Sequence, residues 1–140
     1  MMFSHTCGIP NPLNHPKRIS LGENLSDAGG LKLAKEAYKI WQNKQRNNRI
    51  ADEKPLRLEG GISNHLGEPF TVDQLFYIAY AQIWCENYKP DALRYMLNAD
   101  SHLPGEARVR GTVSLQRGFR EAMKCKVGDE MVASTQCNIW

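Results

Sequence analysis

The chain reads as a mainly α-helical domain with long connections, and three observations predict this. Leu31, Ala34, Tyr38 and Trp41 recur in steps of 3, 4 and 3, while Lys32, Lys35, Glu36 and Lys39 lie off that stripe, the spacing of an amphipathic helix. Thr71 precedes a nearly unbroken apolar run and Gln74 follows it by three residues, the pattern of a helix-opening capping box. Lys89-Pro90-Asp91 puts proline where a helix begins, since its missing N–H is not needed in the first turn.

Taken in order, residues 1–18 hold Pro10, Pro12 and Pro16 among Gly, Asn and His and read as loop or disorder. The first helix is expected from Gly22 to Lys44. Gly29-Gly30 inside it costs about 1 kcal/mol per glycine relative to alanine, which predicts close approach of another backbone. Residues 45–69, with Pro55, Gly60-Gly61, Gly67 and Pro69, read as a long loop and the most variable part. A second helix is expected from Leu75 to Trp84, apolar nearly all round and so central to a core. A third runs from Pro90 to about Asn98, and a last short one from Gln116 to Lys124. Between them Arg108 to Ser114 alternates weakly and predicts an extended or turn segment. Trp41, Phe76, Tyr80 and Trp84 are read as core residues rather than a specificity pocket.

Glu23 and Asp27 stand four residues apart at the head of the first helix. That spacing puts both on one helical face. Neither has a basic partner at helical spacing, because positions 19 and 31 are Ile and Leu. Like charges so close need a cation or a hydrogen-bonded base to offset them, which makes a metal site plausible. On spacing alone, an acidic first turn favoured by the helix dipole is the better account.

The wider motif is more specific. Glu23-Asn24-Leu25-Ser26-Asp27, followed by Gly29-Gly30-Leu31, resembles the third zinc-ligand motif of the neprilysin and endothelin-converting enzyme family of zinc metalloendopeptidases. Gln74-Leu75-Phe76 with Ala81-Gln82-Ile83-Trp84-Cys85 is similar to that family's buried late helix. Asp100-Ser101-His102-Leu103-Pro104-Gly105, leading to Arg108-Val109-Arg110-Gly111, resembles its substrate-binding segment. Cys125 and the closing Cys137-Asn138-Ile139-Trp140 resemble the family's C-terminus. The motifs span about Ile19 to Trp140, so residues 19–140 are expected to be the helical C-terminal portion of a zincin-type metallopeptidase catalytic domain, and residues 1–18 a non-matching segment.

The resemblance implies roles. Glu23 would be the third zinc ligand, and Asp27 the carboxylate orienting a ligand histidine. His102 would donate to the oxyanion of a tetrahedral intermediate. Arg108 would hydrogen-bond a substrate carbonyl, as its rigid fork of donors suits; without the resemblance it reads as a surface ion pair with Glu106 or Asp100. Glu106 departs from the basic or neutral residue the family pattern suggests, which bears on substrate preference. The implied cofactor is zinc, with one ligand present. The two histidine ligands come from a His-Glu-x-x-His helix, and no two of His5, His15, His65 and His102 are four residues apart.

The expectation is therefore the C-terminal part of a larger peptidase that hydrolyses peptide bonds in oligopeptides, inactive alone. Its partners would be peptide substrates and the N-terminal part of the peptidase. The alternative is a non-catalytic peptide-binding or scaffold protein derived from it. Cys7, Cys85, Cys125 and Cys137 allow either disulfides or free thiols; by resemblance the last three pair with cysteines outside the matching region.

Bulk composition agrees with a globular domain: 41% hydrophobic, 24% charged, net charge +3. That charge argues for no nucleic-acid partner. The basic residues from Lys32 to Arg57 read as a solvated face. The longest nearly apolar run, Leu75 to Cys85, is too short to span a bilayer. The N-terminal residues lack a signal-peptide pattern, so the extracellular or plasma-membrane ectodomain location implied by the resemblance requires a leader or anchor further upstream.

Overall fold

The computed structural model describes residues 20–48 and 69–133. The expected loop at residues 45–69 and the N-terminal segment fall largely outside them, as do Cys7 and Cys137. The described residues form five helices: α1 (Leu21–Asn48), α2 (Val72–Ile83), α3 (Pro90–Ala99), α4 (Gly105–Ser114) and α5 (Arg117–Met123). The mainly helical class is as the sequence predicts, and among the described residues no helix is long and apolar enough to cross a membrane.

Helix α4 is the hub, packing against α1, α2 and α5, while α2 also packs on α5. The core gathers Leu31 from α1, Tyr77 from α2, Val113 from α4 and Phe119 from α5, with Phe76, Tyr80, Val109, Met123 and Cys125 packed around them. A second cluster, Ala28, Leu115 and Ala133, closes the α1–α4 junction. Gln116 Nε2 donates to the Ala28 carbonyl at 3.0 Å, and Gln74 Nε2 donates to the Ala122 carbonyl at 3.0 Å, so side-chain amides tie the two ends of α5 to α1 and α2.

The capping box at the head of α2 is present in both directions. Thr71 Oγ1 accepts from Gln74 N at 3.2 Å, and Gln74 Oε1 accepts from Thr71 N at 2.9 Å. Pro90 occupies the first turn of α3 as expected.

Four expectations are corrected. Arg108 to Ser114 belongs to α4 and is neither extended nor a turn. Ala107, Thr112, Val113 and Ser114 are all buried, because three neighbouring helices enclose α4. Polar positions therefore sit inside, and the helical period is lost from the hydrophobic pattern. The Ser114 hydroxyl is satisfied locally, donating to the Gly111 carbonyl at 2.9 Å.

On α1 the inward stripe is Ala28, Leu31, Lys35 and Tyr38, whereas Ala34 and Trp41 are exposed. Lys35 turns inward because its ammonium finds both a partner and aromatic faces. It pairs with Asp73 and lies 4.8 Å from the Phe76 ring centroid and 5.4 Å from that of Tyr77, close enough for cation–π attraction. Gly30 faces open space, with nothing within 4 Å of an added Cβ, so the close approach expected there is absent; Gly29 is buried.

Helix α2 is not enclosed on all sides: Tyr77 is its buried residue and Ile83 is 73% exposed. Cys85 and Cys125 are free thiols, and burial pushes the Cys125 thiol up.

Candidate active site

The first turns of α1 face the segment that leads into α4. Glu23 and Asp27, stacked one helical turn apart, each meet one basic residue from that segment. The Glu23 carboxylate lies 3.3 Å from His102 Nε2. The Asp27 carboxylate takes the fork of Arg108, accepting from Nε at 2.7 Å on one oxygen and from a terminal nitrogen at 2.6 Å on the other. The sequence pattern left both carboxylates without partners because the partners lie some eighty residues downstream.

His102 is fixed by a local turn. Asp100 Oδ1 accepts from the His102 backbone N–H at 2.8 Å and lies 2.9 Å from His102 Nδ1. This is the side-chain-to-backbone bond that Asp favours in turns. The His102 backbone N–H, then its ring, hold the Asp100 carboxyl below its usual range. Both ring nitrogens of His102 thus face carboxylate oxygens, an arrangement in which both can donate only when the ring is doubly protonated.

Arg108 sits in the first turn of α4, whose Pro104 N-cap supplies no side-chain bond. Its guanidinium carbon lies 3.8 Å above the Trp84 ring centroid, so Trp84, read from sequence as core, is partly buried and forms a floor beneath the cation. The Asp27 hydrogen bonds raise the Arg108 pKa despite opposing desolvation, which keeps the group cationic. Tyr80 stacks edge-on to Trp84 at 6.4 Å; burial raises the pKa of its phenol. Tyr80 Oη and Trp84 Nε1 are buried and make no well-aligned hydrogen bond among the described residues, but Thr112 and Trp84 lie near enough to the phenol to oppose the effect of burial on it. A cavity of about 10 Å³ beside Arg108, lined also by Asn24, Leu103, Thr112 and Leu115, has room for about one water.

The four residues singled out in the sequence are brought together, in two pairs. Arg108 pairs with Asp27, and neither Glu106 nor Asp100 is its partner; Glu106 instead lies 3.6 Å from Arg110. Reasoning from sequence missed Trp84 and the anchoring part of Asp100. The Asp-x-His spacing of a side-chain turn was the available signal for the second; the first had none, since its role depends on α4 being a helix.

A zinc site of the kind the resemblance implies needs at least three protein donors converging on one point. Among the described residues no group of three His, Cys, Asp or Glu side chains does so. Asp100, His102 and Glu23 form a chain, with the imidazole between the carboxylates, and both Asp27 oxygens are engaged by Arg108. The described residues therefore do not make a zinc site by themselves.

Comparison with known proteins gives the same relationship independently. The profile of peptidase family M13 matches residues 5–139. Neprilysin-1 of Caenorhabditis elegans is 34% identical over 125 residues, covering 88% of this chain and 15% of its own length. Neprilysin-3 of Drosophila melanogaster is 35% identical over 121 residues, 86% of this chain and 14% of its own. Membrane metallo-endopeptidase-like 1 of Mus musculus is 37% identical over 122 residues, again 86% and 14%. The chain thus spans about 15% of the length of the curated relatives it matches. With its paired carboxylates facing a histidine and an arginine, and with this match over nearly its whole length, the chain belongs to peptidase family M13 and is related to the metallopeptidases of that family.

Proposed function

We propose that this chain forms the C-terminal part of the active centre of a zinc endopeptidase acting on oligopeptides. The observation that carries the reading is the two-pair arrangement on one helical face: Glu23 with His102 at 3.3 Å, and Asp27 with Arg108 at 2.6 Å. Asp27, with its side chain only 12% exposed, is held by Arg108 rather than by water, while Glu23 and His102 meet at a more open edge. Together the two carboxylates align a histidine and an arginine on one side of α1.

In this reading Glu23 is the third zinc ligand, and the two histidine ligands come from the rest of the peptidase. His102 donates from Nε2 toward negative charge developing on a carbonyl oxygen, with Asp100 setting the ring's orientation through Nδ1. A donor so fixed does not need to reorganise as that charge forms. Arg108 spends two N–H groups on Asp27 and keeps others for a peptide carbonyl, while Asp27 retains lone pairs with which to orient a ligand histidine. The sequence holds no His-Glu-x-x-His motif, so the chain alone is proposed to be without peptidase activity. Pairing of its cysteines with upstream cysteines and an extracellular location belong to the same proposal.

The test is to sequence the 5′ end of the native transcript and to assay the purified chain on a fluorogenic oligopeptide. A reading frame that continues upstream into His-Glu-x-x-His, with an inactive isolated chain, is the expected result. A message beginning at Met1 or Met2 would favour the peptide-binding or scaffold alternative. Hydrolysis by the isolated chain that survives a tight chelator would contradict the metal reading altogether.

A further inference from the structure

Helix α4 begins without a cap of its own, because its N-cap residue is Pro104. The cap comes from elsewhere in the chain. Glu86 Oε1 accepts from the Gly105 backbone N–H at 2.7 Å, satisfying one of the donors that every helix start leaves unpaired. The fit is close: a Cβ on Gly105 would lie 2.4 Å from Glu86 Oε1 and 2.6 Å from the Trp84 carbonyl oxygen. Tyr88 is set against the same carboxylate, burial and then Glu86 pushing its phenol up to about 12.

These contacts close a ring. Trp84 and Glu86 lie two residues apart on the segment leaving α2. Glu86 holds Gly105, Gly105 opens α4, and Arg108 in that same first turn returns its guanidinium to the Trp84 ring at 3.8 Å. The distance between the aromatic floor and the cationic fork therefore depends on how tightly Glu86 draws the start of α4 toward residues 84–86.

We propose that Glu86 is a positioning residue, whose carboxylate caps α4 from another segment and so fixes Arg108 over Trp84 and in line with Asp27. Its consequence for peptide binding rests on the reading of Arg108 as a substrate group; the positioning itself does not.

The experiment uses the ¹⁵N-labelled full chain with Glu86→Ala and Glu86→Gln. In Glu86→Ala, exchange of the Arg108 backbone amide is expected to quicken about fivefold, as loss of a helix cap implies. The Arg108 Nε–H resonance is expected to move while the Val113 and Phe119 amides stay in place. In Glu86→Gln, whose amide oxygen still accepts from Gly105, both signals should return toward those of the parent chain. If the Arg108 Nε–H signal keeps its place in Glu86→Ala while the backbone amide loosens, Glu86 is a helix cap and nothing more, and the proposal fails. It fails equally if the Gly105 amide is indifferent to both substitutions. A blocked tripeptide amide added to the same samples separates the two readings. No binding to the parent chain, with Arg108 still responding to Glu86, would overturn the peptide role and leave the positioning standing.

Discussion

Arg108 and Asp27 meet through two parallel hydrogen bonds, 2.7 and 2.6 Å long, with side chains only 14% and 12% exposed. Removing the carboxylate with Asp27→Ala strands a guanidinium that water reaches poorly. The expected loss is about 2–3 kcal/mol, between that of an exposed ion pair and a fully buried one. Arg108→Lys keeps the charge but neither the fork nor the flat stacking surface over Trp84, so it should recover little of that stability. Urea unfolding of both variants measures this; a loss below about 0.5 kcal/mol in Asp27→Ala would show the pair to be screened like any surface contact.

Lys35 gives a different forecast, because its stem is buried and its partner is not: the side chains of Lys35 and Asp73 are 9% and 58% exposed. Asp73→Asn should cost less than about 1 kcal/mol. Lys35→Met keeps the apolar stem among Tyr38, Phe76 and Tyr77 and should stay within about 1 kcal/mol of the parent chain, since apolar replacement of a buried charge is often neutral. Lys35→Ala loses that packing and should be the least stable of the three. Thermal melts at matched pH rank them.

Two glycines should respond in opposite directions to alanine. At Gly105 the added methyl meets the Trp84 carbonyl oxygen at 2.6 Å. A backbone atom cannot swing aside as a side chain can, so Gly105→Ala should cost about 1–3 kcal/mol as an overpacked site. At Gly30 nothing lies within 4 Å, and Gly30→Ala within α1 should gain up to about 1 kcal/mol from helix propensity. Equal effects at the two positions, by denaturant titration, would contradict the packing described around residues 84–86.

Tyr77 is 3% exposed, and burial foremost pushes its phenol up to about 12. The raised value belongs to the folded state, so the associated stability is complete below the unfolded value near 10. It is lost as pH rises from about 10 through about 12, because the unfolded chain releases the proton first. Tyr77→Phe should flatten that alkaline decline and remove one late-ionising phenol from the 295 nm absorbance titration. A Tyr77 that ionises near pH 10 in the folded chain would mean that water reaches its hydroxyl.

What could be read from the sequence follows from how local each cause is. The capping box at Thr71 and Gln74 and the proline start of α3 depend on neighbouring residues, and both stand where expected. The i,i+4 placement of Glu23 and Asp27 was equally legible; what faced them was not, because the partners arrive from α4 and the turn before it. Lys35 was misplaced because hydropathy scores an ammonium as an outward group, whereas an aromatic surround and one carboxylate hold it inside. Helix α4 was missed because burial on several sides erases the polar–apolar period on which such predictions depend.

The Asp100–His102 contact closes over two residues, whereas Asp27 and Arg108 are separated by 81. The entropic cost of closing a loop rises with the logarithm of its length, so the two halves of the site form under different conditions. The Asp-x-His turn closes a minimal loop and depends little on the rest of the fold. The arginine clamp exists only once the chain has brought α1 and α4 together, and it vanishes with any fluctuation that parts them. Histidine orientation should therefore outlast arginine orientation as the protein is loosened by heat or denaturant, and binding that needs the clamp should disappear before the histidine turn opens.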